Sequence, residues 1–332
     1  IKMKHILNRL INHESITTEE AKQVLVNISE GLYNQSQIAS FLTVYMMRST
    51  TIEELAGFRD ALLELAVPIN LSDYNPIDLC GTGGDGKNTF NISTLASFIT
   101  AGAGVNVTKH GNYSVSSVSG SSNVLENLGV KFSNDQAFLE TCLEKAGICV
   151  LHAPLFHPAM KFVAPVRKDL AVKTFFNMLG PMVNPVKPPN QVVGVFSLEL
   201  ARIYSYLYQH TDTNYRIVHA LDGYDEVSLT GDTKIVGNQM NTVLTPEDFN
   251  AEKIKAEEIY GGETIPEAVK LFQKILNNEG SKAQNQVVCA NAALAISTAK
   301  KISIAEALSQ AEESLKSGKA LEKLKILQKL SA

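Results

Sequence analysis

The sequence predicts an α/β protein in which a small all-helical domain precedes a larger α/β domain with a mostly parallel central sheet. Three observations predict it. Residues 1–67 carry only helical periodicity and helix-start signals. From Pro76 onward, short apolar runs alternate with helical stretches, the pattern of a largely parallel sheet. The loops between them are rich in glycine and hydroxyl residues near the start of that region. The domains are therefore expected at 1–67 and 74–332, with a segment near 165–190 returning to the first.

In the first domain, Thr17-Thr18-Glu19-Glu20 is a capping box, Ala21, Val24, Leu25 and Ile28 form an apolar stripe, and Gly31 stops the helix. Ile38, Phe41, Leu42, Tyr45 and Met46 form a second stripe, and Tyr45-Met46-Met47 is expected in the core. Thr51 to Glu54 is another capping box, leading into Leu55, Phe58, Leu62 and Leu63; Pro68 ends the run. Such short amphipathic helices bury little alone and need a cover, such as a second copy of the chain.

In the second domain, strands are expected at 77–80, 105–109, 148–151, 192–196, 216–221 and 226–230. Helices are expected at 93–103, capped by Ser93 or Thr94, and at 121–128, 134–146, 158–170 and 198–209. Residues 181–189, rich in proline, read as a crossing between domains. Residues 234–236 and 241–244 read as antiparallel edge strands. Thr264 caps a helix ending at Leu276, 287–299 is a buried helix, Ser303 caps another, and 321–330 closes the chain.

Composition excludes several classes. Thirty basic against thirty-four acidic residues leave a net charge of −4, which supplies no bulk attraction to nucleic acid or membrane. No apolar run approaches the roughly 18 residues of a membrane span, and the first residues show no signal-peptide pattern. Cys80, Cys142, Cys149 and Cys289 have no metal-site spacing and read as buried, reduced thiols of a cytoplasmic protein.

Between Leu79 and Ser121 lie eight glycines among hydroxyls and a lysine. Glycine lets backbone N–H groups approach an anion, hydroxyls donate to it, and lysine adds charge. A strand, a glycine loop and a helix start follow one another, an arrangement that favours phosphate. Gly81, Gly83 and Gly86 satisfy the dinucleotide fingerprint G-x-G-x-x-G, but the next strand ends in Thr108, Lys109 and His110 instead of an acid. Gly81 to Lys87 nearly spells a nucleotide P-loop, but Asn88 stands where a magnesium-binding hydroxyl belongs. A loop for another phosphate ligand and a plain glycine-rich turn are the remaining readings.

Several blocks resemble the anthranilate phosphoribosyltransferase family: Gly-Thr-Gly-Gly-Asp-Gly from Gly81, Thr-Phe-Asn-Ile-Ser-Thr from Thr89, and Lys-His-Gly-Asn from Lys109. Ala-Pro-Leu-Phe-His-Pro from Ala153, Ala-Pro-Val-Arg-Lys-Asp-Leu from Ala164, Phe-Asn-Met-Leu-Gly-Pro from Phe176 and Asp-Gly-Tyr-Asp-Glu from Asp222 continue it in the family's order. The resemblance covers essentially the whole chain. It implies a nucleoside phosphorylase-like fold, a homodimer through the helical domain, and transfer of a phosphoribosyl group from 5-phosphoribosyl 1-pyrophosphate to anthranilate, a step of tryptophan synthesis. Tyr113 and Val118 stand where the family usually has Arg and Lys; Ser122-Asn123 replaces Ala-Asp, and Lys173 replaces Arg.

By the same resemblance, Gly81, Gly84, Asp85, Thr89, Asn91, Ile92, Ser93 and Thr94 bind the pyrophosphate substrate. Lys109, His110, Gly111, Asn112, Tyr113, Ser114, Val115, Ser116, Ser117 and Ser121 complete its cradle. Asp85 is an anomaly in an anion site, better suited to ribose hydroxyls, to a metal-bound water or to capping the loop. Asp225 and Glu226 follow a predicted strand and suit Mg2+, which takes oxygen ligands; the resemblance adds Ser93. A solvated acidic turn is the other reading of that pair. Arg167 matches a carboxylate bidentately, and the resemblance makes it the anthranilate clamp with Gly81 and Asn112 at the same ligand. His110, His152 and His157 are either near the aromatic acid or core histidines. No general base is assigned: an aromatic amine is neutral at pH 7, and positioning with charge neutralisation can carry the transfer.

Overall fold

The computed structural model describes residues 2–114 and 117–332. The chain forms two compact units, one of Ile1–Pro68 with Ala153–Pro185, the other of Ile69–His152 with Val186–Ala332. The return to the first unit, expected near 165–190, thus runs over Ala153–Pro185.

The first unit contains α1 (Met3–Ile11), α2 (Thr18–Ser29), α3 (Gln35–Met47) and α4 (Ile52–Leu65). Capping boxes at Thr17, Asn34 and Thr51 start α2, α3 and α4. The box residue Glu54 is fully buried and also accepts from Ile16 N–H at 3.1 Å and from Arg48 at 3.0 Å. Phe41, Tyr45, Phe58 and Phe175 meet at ring separations of 4.3 to 6.0 Å and form the centre of this unit. Met46 and Met47 do not join Tyr45 in that core, since they are 42% and 82% exposed. The helix expected over 158–170 is broken. A single turn spans Pro158–Lys161 and the helix proper is Val163–Leu170. Pro165 lacks an N–H and its ring would strike the carbonyl of residue 161 in a continuous helix.

The second unit is built on β1 (Ile77–Gly81), β2 (Val107–Gly111), β3 (Ile148–His152), β4 (Asn190–Gly194), β5 (Asn214–Ala220), β6 (Thr233–Gly237) and β7 (Met240–Leu244). Their order is β3-β2-β1-β4-β5-β6-β7. The first five are parallel, and β6 and β7 are antiparallel at the edge. The chain leaves β1 toward β2 on one side and reaches β4 on the other. That makes the carboxyl ends of β1 and β4 a switch point, where open α/β sheets bind ligands.

Helix α5 (Ile92–Gly102) follows the β1 loop. Its first residue is preceded by Asn91 at the cap position, so neither Ser93 nor Thr94 caps it. The helix Lys282–Lys300 packs on α5 and is buried along most of its length, as the small apolar residues of 287–299 require. The strand expected at 226–230 is absent. There the chain turns, with Leu229 at φ +59°. Its backbone is satisfied elsewhere: Asn291 accepts from Val227 N–H at 3.1 Å and donates to Val227 O at 2.9 Å. One side-chain amide thus replaces a ladder partner. All four cysteines are free; Cys142, Cys149 and Cys289 are buried, whereas Cys80 is only half-buried. Among the described residues, no single helix is long and apolar enough to cross a membrane.

Candidate active site

The loop leaving β1 turns through Gly83, Gly84 and Gly86 at φ +65°, +75° and +73°, values that glycine adopts without strain. These turns aim the Gly83 N–H at Asp225 Oδ2, 2.8 Å away. Asp85 caps the loop: its Oδ1 accepts from Lys87 N–H at 2.9 Å and its Oδ2 from Asp225 N–H at 3.3 Å. These bonds are the ones a loop-capping aspartate makes. Glycine at 81 and 194 makes room for Asp225, because a Cβ at either position would run into its carboxylate or its carbonyl. Next to it, Glu226 Oε1 accepts from Ser93 N–H at 2.9 Å, in the first turn of α5. The acidic pair thus holds a glycine-loop donor and a helix N-terminal donor, two groups suited to anions.

Lys109, buried in β2, donates to Leu79 O and lies 3.4 Å from Ser93 Oγ. Asn91 Nδ2 donates to Ser119 O at 3.1 Å, tying the start of α5 to the Ser119-Gly120 turn. Asn123 Oδ1 accepts from Ser114 and Gly120 N–H at 3.0 and 2.9 Å, so the residue that replaces the family's Asp still closes that loop. Ser121 Oγ fills the space beside Gly111 where a Cβ would stand. Asn112 Oδ1 accepts from Tyr113 N–H at 2.8 Å. Tyr113 is 39% exposed and donates to Glu126 at 3.0 Å. Ile92 and Thr94 are buried, and the Ile92 N–H donates to Phe90 O at 2.7 Å. Thr89 pairs with Tyr260 in an isolated bridge. Gly84 belongs to the β1 loop, and Ser117 N–H donates to Ser114 Oγ at 2.7 Å. Val115 and Ser116 lie outside the described residues.

Burial, then the negative charge of Asp85, pushes the Asp225 carboxyl up to about 7. Burial, then Asp225 and Asp85, push Glu226 well above the carboxylate range, while Ser93 N–H and Lys109 oppose this. Two adjacent buried carboxyls that resist ionisation, Asp225 and Glu226, are a pair that a cation relieves. Gly83 and Ser93 each donate to a single carboxylate oxygen, Asp225 Oδ2 and Glu226 Oε1. The all-oxygen donor set fits magnesium.

The sign of the pH effect follows. A carboxyl whose folded pKa is raised binds more protons folded than unfolded. Stability of the metal-free protein therefore falls as pH rises from about 4 to 7, by up to roughly 1.4 kcal/mol per pH unit for one proton. The urea midpoint of wild type minus that of Asp225→Asn should decline across this range. A flat difference would exclude the raised carboxyl.

In the first unit, Arg167 Nη2 donates to Asn177 Oδ1 at 3.3 Å, and its guanidinium lies 5.5 Å from the Phe176 ring centre. Burial lowers its pKa, and among the described residues no carboxylate forms an ion pair with it. His157 is a core histidine whose pKa burial lowers. His152 lies between the rings of Tyr113 and Phe132 and bonds Ser122 at 2.8 Å. His110 donates its backbone N–H to buried Asp78 at 3.3 Å. Sequence reasoning missed Asn291 and Gly194, which seat the acidic turn. An amide in the middle of the apolar run 287–296 was the available signal for Asn291.

The chain matches the glycosyl transferase family a/b domain over residues 73–321 and that family's helical bundle domain over residues 4–66. Helical bundle and α/β sheet with a glycine-rich loop after β1 are those of a glycosyltransferase of this two-domain class. Anthranilate phosphoribosyltransferase of Flavobacterium psychrophilum is 71% identical over 296 residues, 89% of this chain and 90% of that protein. The chain belongs to the anthranilate phosphoribosyltransferase family. The crystal structure of the Thermus thermophilus enzyme superposes with a TM-score of 0.90 at 33% identity, covering 98% of each chain. The Saccharomyces cerevisiae enzyme in complex with PRPP and Mg superposes with a TM-score of 0.89 at 26% identity, covering 99% of this chain and 97% of that one.

Proposed function

We propose that the chain performs the reaction of its family with the residues gathered at the β1 and β4 switch point. The phosphoribosyl group of 5-phosphoribosyl 1-pyrophosphate passes to the amine of anthranilate, giving N-(5-phosphoribosyl)anthranilate and pyrophosphate in tryptophan biosynthesis. The observation that supports these site assignments most is the meeting of a glycine-loop N–H, a helix N-terminal N–H and the Asp225-Glu226 pair within one hydrogen-bonded network.

Asp225 and Glu226, with Ser93 Oγ, hold Mg2+. The bound ion supplies charge neutralisation to the departing diphosphate. Gly81, Gly84, Asp85, Thr89 and residues 91–94 bind the pyrophosphate substrate, with residues 109–117 and Ser121 completing its cradle. Lys109 keeps Ser93 oriented and adds positive charge beneath the loop. Arg167 takes the anthranilate carboxylate, and Gly81 and Asn112 contact the same substrate. None of these groups forms a covalent bond to the sugar; they orient the amine and the leaving group and stabilise developing charge. The enzyme works as a homodimer in the cytoplasm, where buried thiols stay reduced.

The test is the loss of anthranilate fluorescence on mixing with 5-phosphoribosyl 1-pyrophosphate. A decay that requires Mg2+ and releases one pyrophosphate per anthranilate is expected. No decay with Mg2+ present would refute the reading.

A further inference from the structure

We propose that Phe176 and Asn177 are the positioning residues of Arg167, holding its guanidinium flat and without a countercharge for a planar aromatic carboxylate. The inference rests on reading Arg167 as the anthranilate clamp. Three aromatic rings lie in succession beneath the guanidinium. Phe58 and Phe175 stack at 4.3 Å with planes 20° apart, and Phe175 and Phe176 stack at 4.5 Å and 25°. The Arg167 guanidinium continues the series at 5.5 Å from Phe176. Phe175 is wedged edge-on against Phe41 and Tyr45, at 6.0 and 5.3 Å, so the ladder stands on the core of the unit. Phe176 is buried, and its ring face meets the cation from one side.

Asn177 fixes the remaining freedom. Its Oδ1 accepts from Arg167 and from Thr174 N–H at 3.0 Å, and its own N–H donates to Thr174 O at 3.0 Å. The amide oxygen therefore cannot swing away without breaking its contact to the Thr174 backbone N–H. An amide orients a guanidinium but leaves its charge intact. A carboxylate here would form an ion pair and take the charge that the substrate needs. Only one of the five guanidinium N–H donors is used by this contact. A half-buried arginine held by a neutral group is costly unless an anion arrives.

The experiment compares Asn177→Asp, Asn177→Ala, Phe176→Leu, Phe176→Tyr and Arg167→Ala, measuring KM for each substrate, kcat at saturation and Tm. Asn177→Asp keeps size and hydrogen bonds but adds the countercharge. It should raise KM for anthranilate by about tenfold or more, leave KM for 5-phosphoribosyl 1-pyrophosphate and kcat within about twofold, and hold or raise Tm. Phe176→Leu should raise the same KM, and Phe176→Tyr should restore it. An unchanged anthranilate KM in Asn177→Asp, with a raised one in Arg167→Ala, would overturn the positioning role and leave the clamp standing. An unchanged KM in Arg167→Ala would overturn the clamp, and this inference with it. Equal changes in both KM values with a lower Tm would reduce Asn177 to a structural residue and overturn the proposal.

Discussion

Changing Asp225 to Asn and Glu226 to Gln together is expected to lower kcat by about 10²–10³-fold or more, the scale for losing a preorganised electrostatic contact at the reacting centre. The same double variant should be at least as stable as wild type near pH 7. Both substitutions keep an oxygen where Gly83 and Ser93 donate their N–H groups. They also remove charges that burial and the neighbouring Asp85 already disfavour. Activity and stability therefore move in opposite directions, which a damaged fold cannot produce. Steady-state rates at several Mg2+ concentrations and a thermal melt, on the same preparation, measure both. A variant with full activity would remove the pair from the metal site. A variant that melts lower would show that the carboxylates are structural.

Arg167→Ala should raise KM for anthranilate by about 10²-fold, since truncating one partner of a buried charge pair costs roughly 2–5 kcal/mol. KM for the pyrophosphate substrate should hardly move. Aniline, which has the amine but no carboxylate, separates the explanations. If the guanidinium binds the carboxylate, wild type and variant should use aniline equally poorly. If the variant loses as much rate with aniline as with anthranilate, Arg167 acts on something other than the carboxylate. Stability should be little affected or improve, because burial already works against the charged guanidinium.

The helix starts were readable because capping is local. Thr17, Thr51, Thr264 and Ser303 each meet a partner three residues ahead, and the side-chain acceptor is fixed by those few bonds. The parallel sheet was readable from alternation alone. What failed was decided at long range. Residues 226–230 have the composition of a strand, yet Val227 satisfies its backbone on Asn291, sixty-four positions away. Met46 and Met47 continue an apolar stripe, but the aromatic cluster around Phe41 closes before reaching them. The break between Pro158–Lys161 and Val163–Leu170 is the exception, a local effect of Pro165. For the candidate site, the motif blocks pointed to Asp225, Glu226, Ser93 and Lys109. The sequence could not say that the acids would accept the very N–H groups expected for phosphate, because that depends on two glycines, at 81 and 194, clearing space on adjacent strands.

The Asn291 contact sets the order in which the protein becomes competent. The acidic turn follows β5, but its backbone is completed by a side chain from the helix Lys282–Lys300, which is synthesised some sixty residues later. A growing chain that has exposed every parallel strand and the whole glycine loop still lacks the staple that seats Asp225 and Glu226. The acidic turn is therefore seated only after that helix has been made, when the sheet already has its central strands. Until then the glycine loop after β1 lacks the seated carboxylate that accepts from Gly83 N–H.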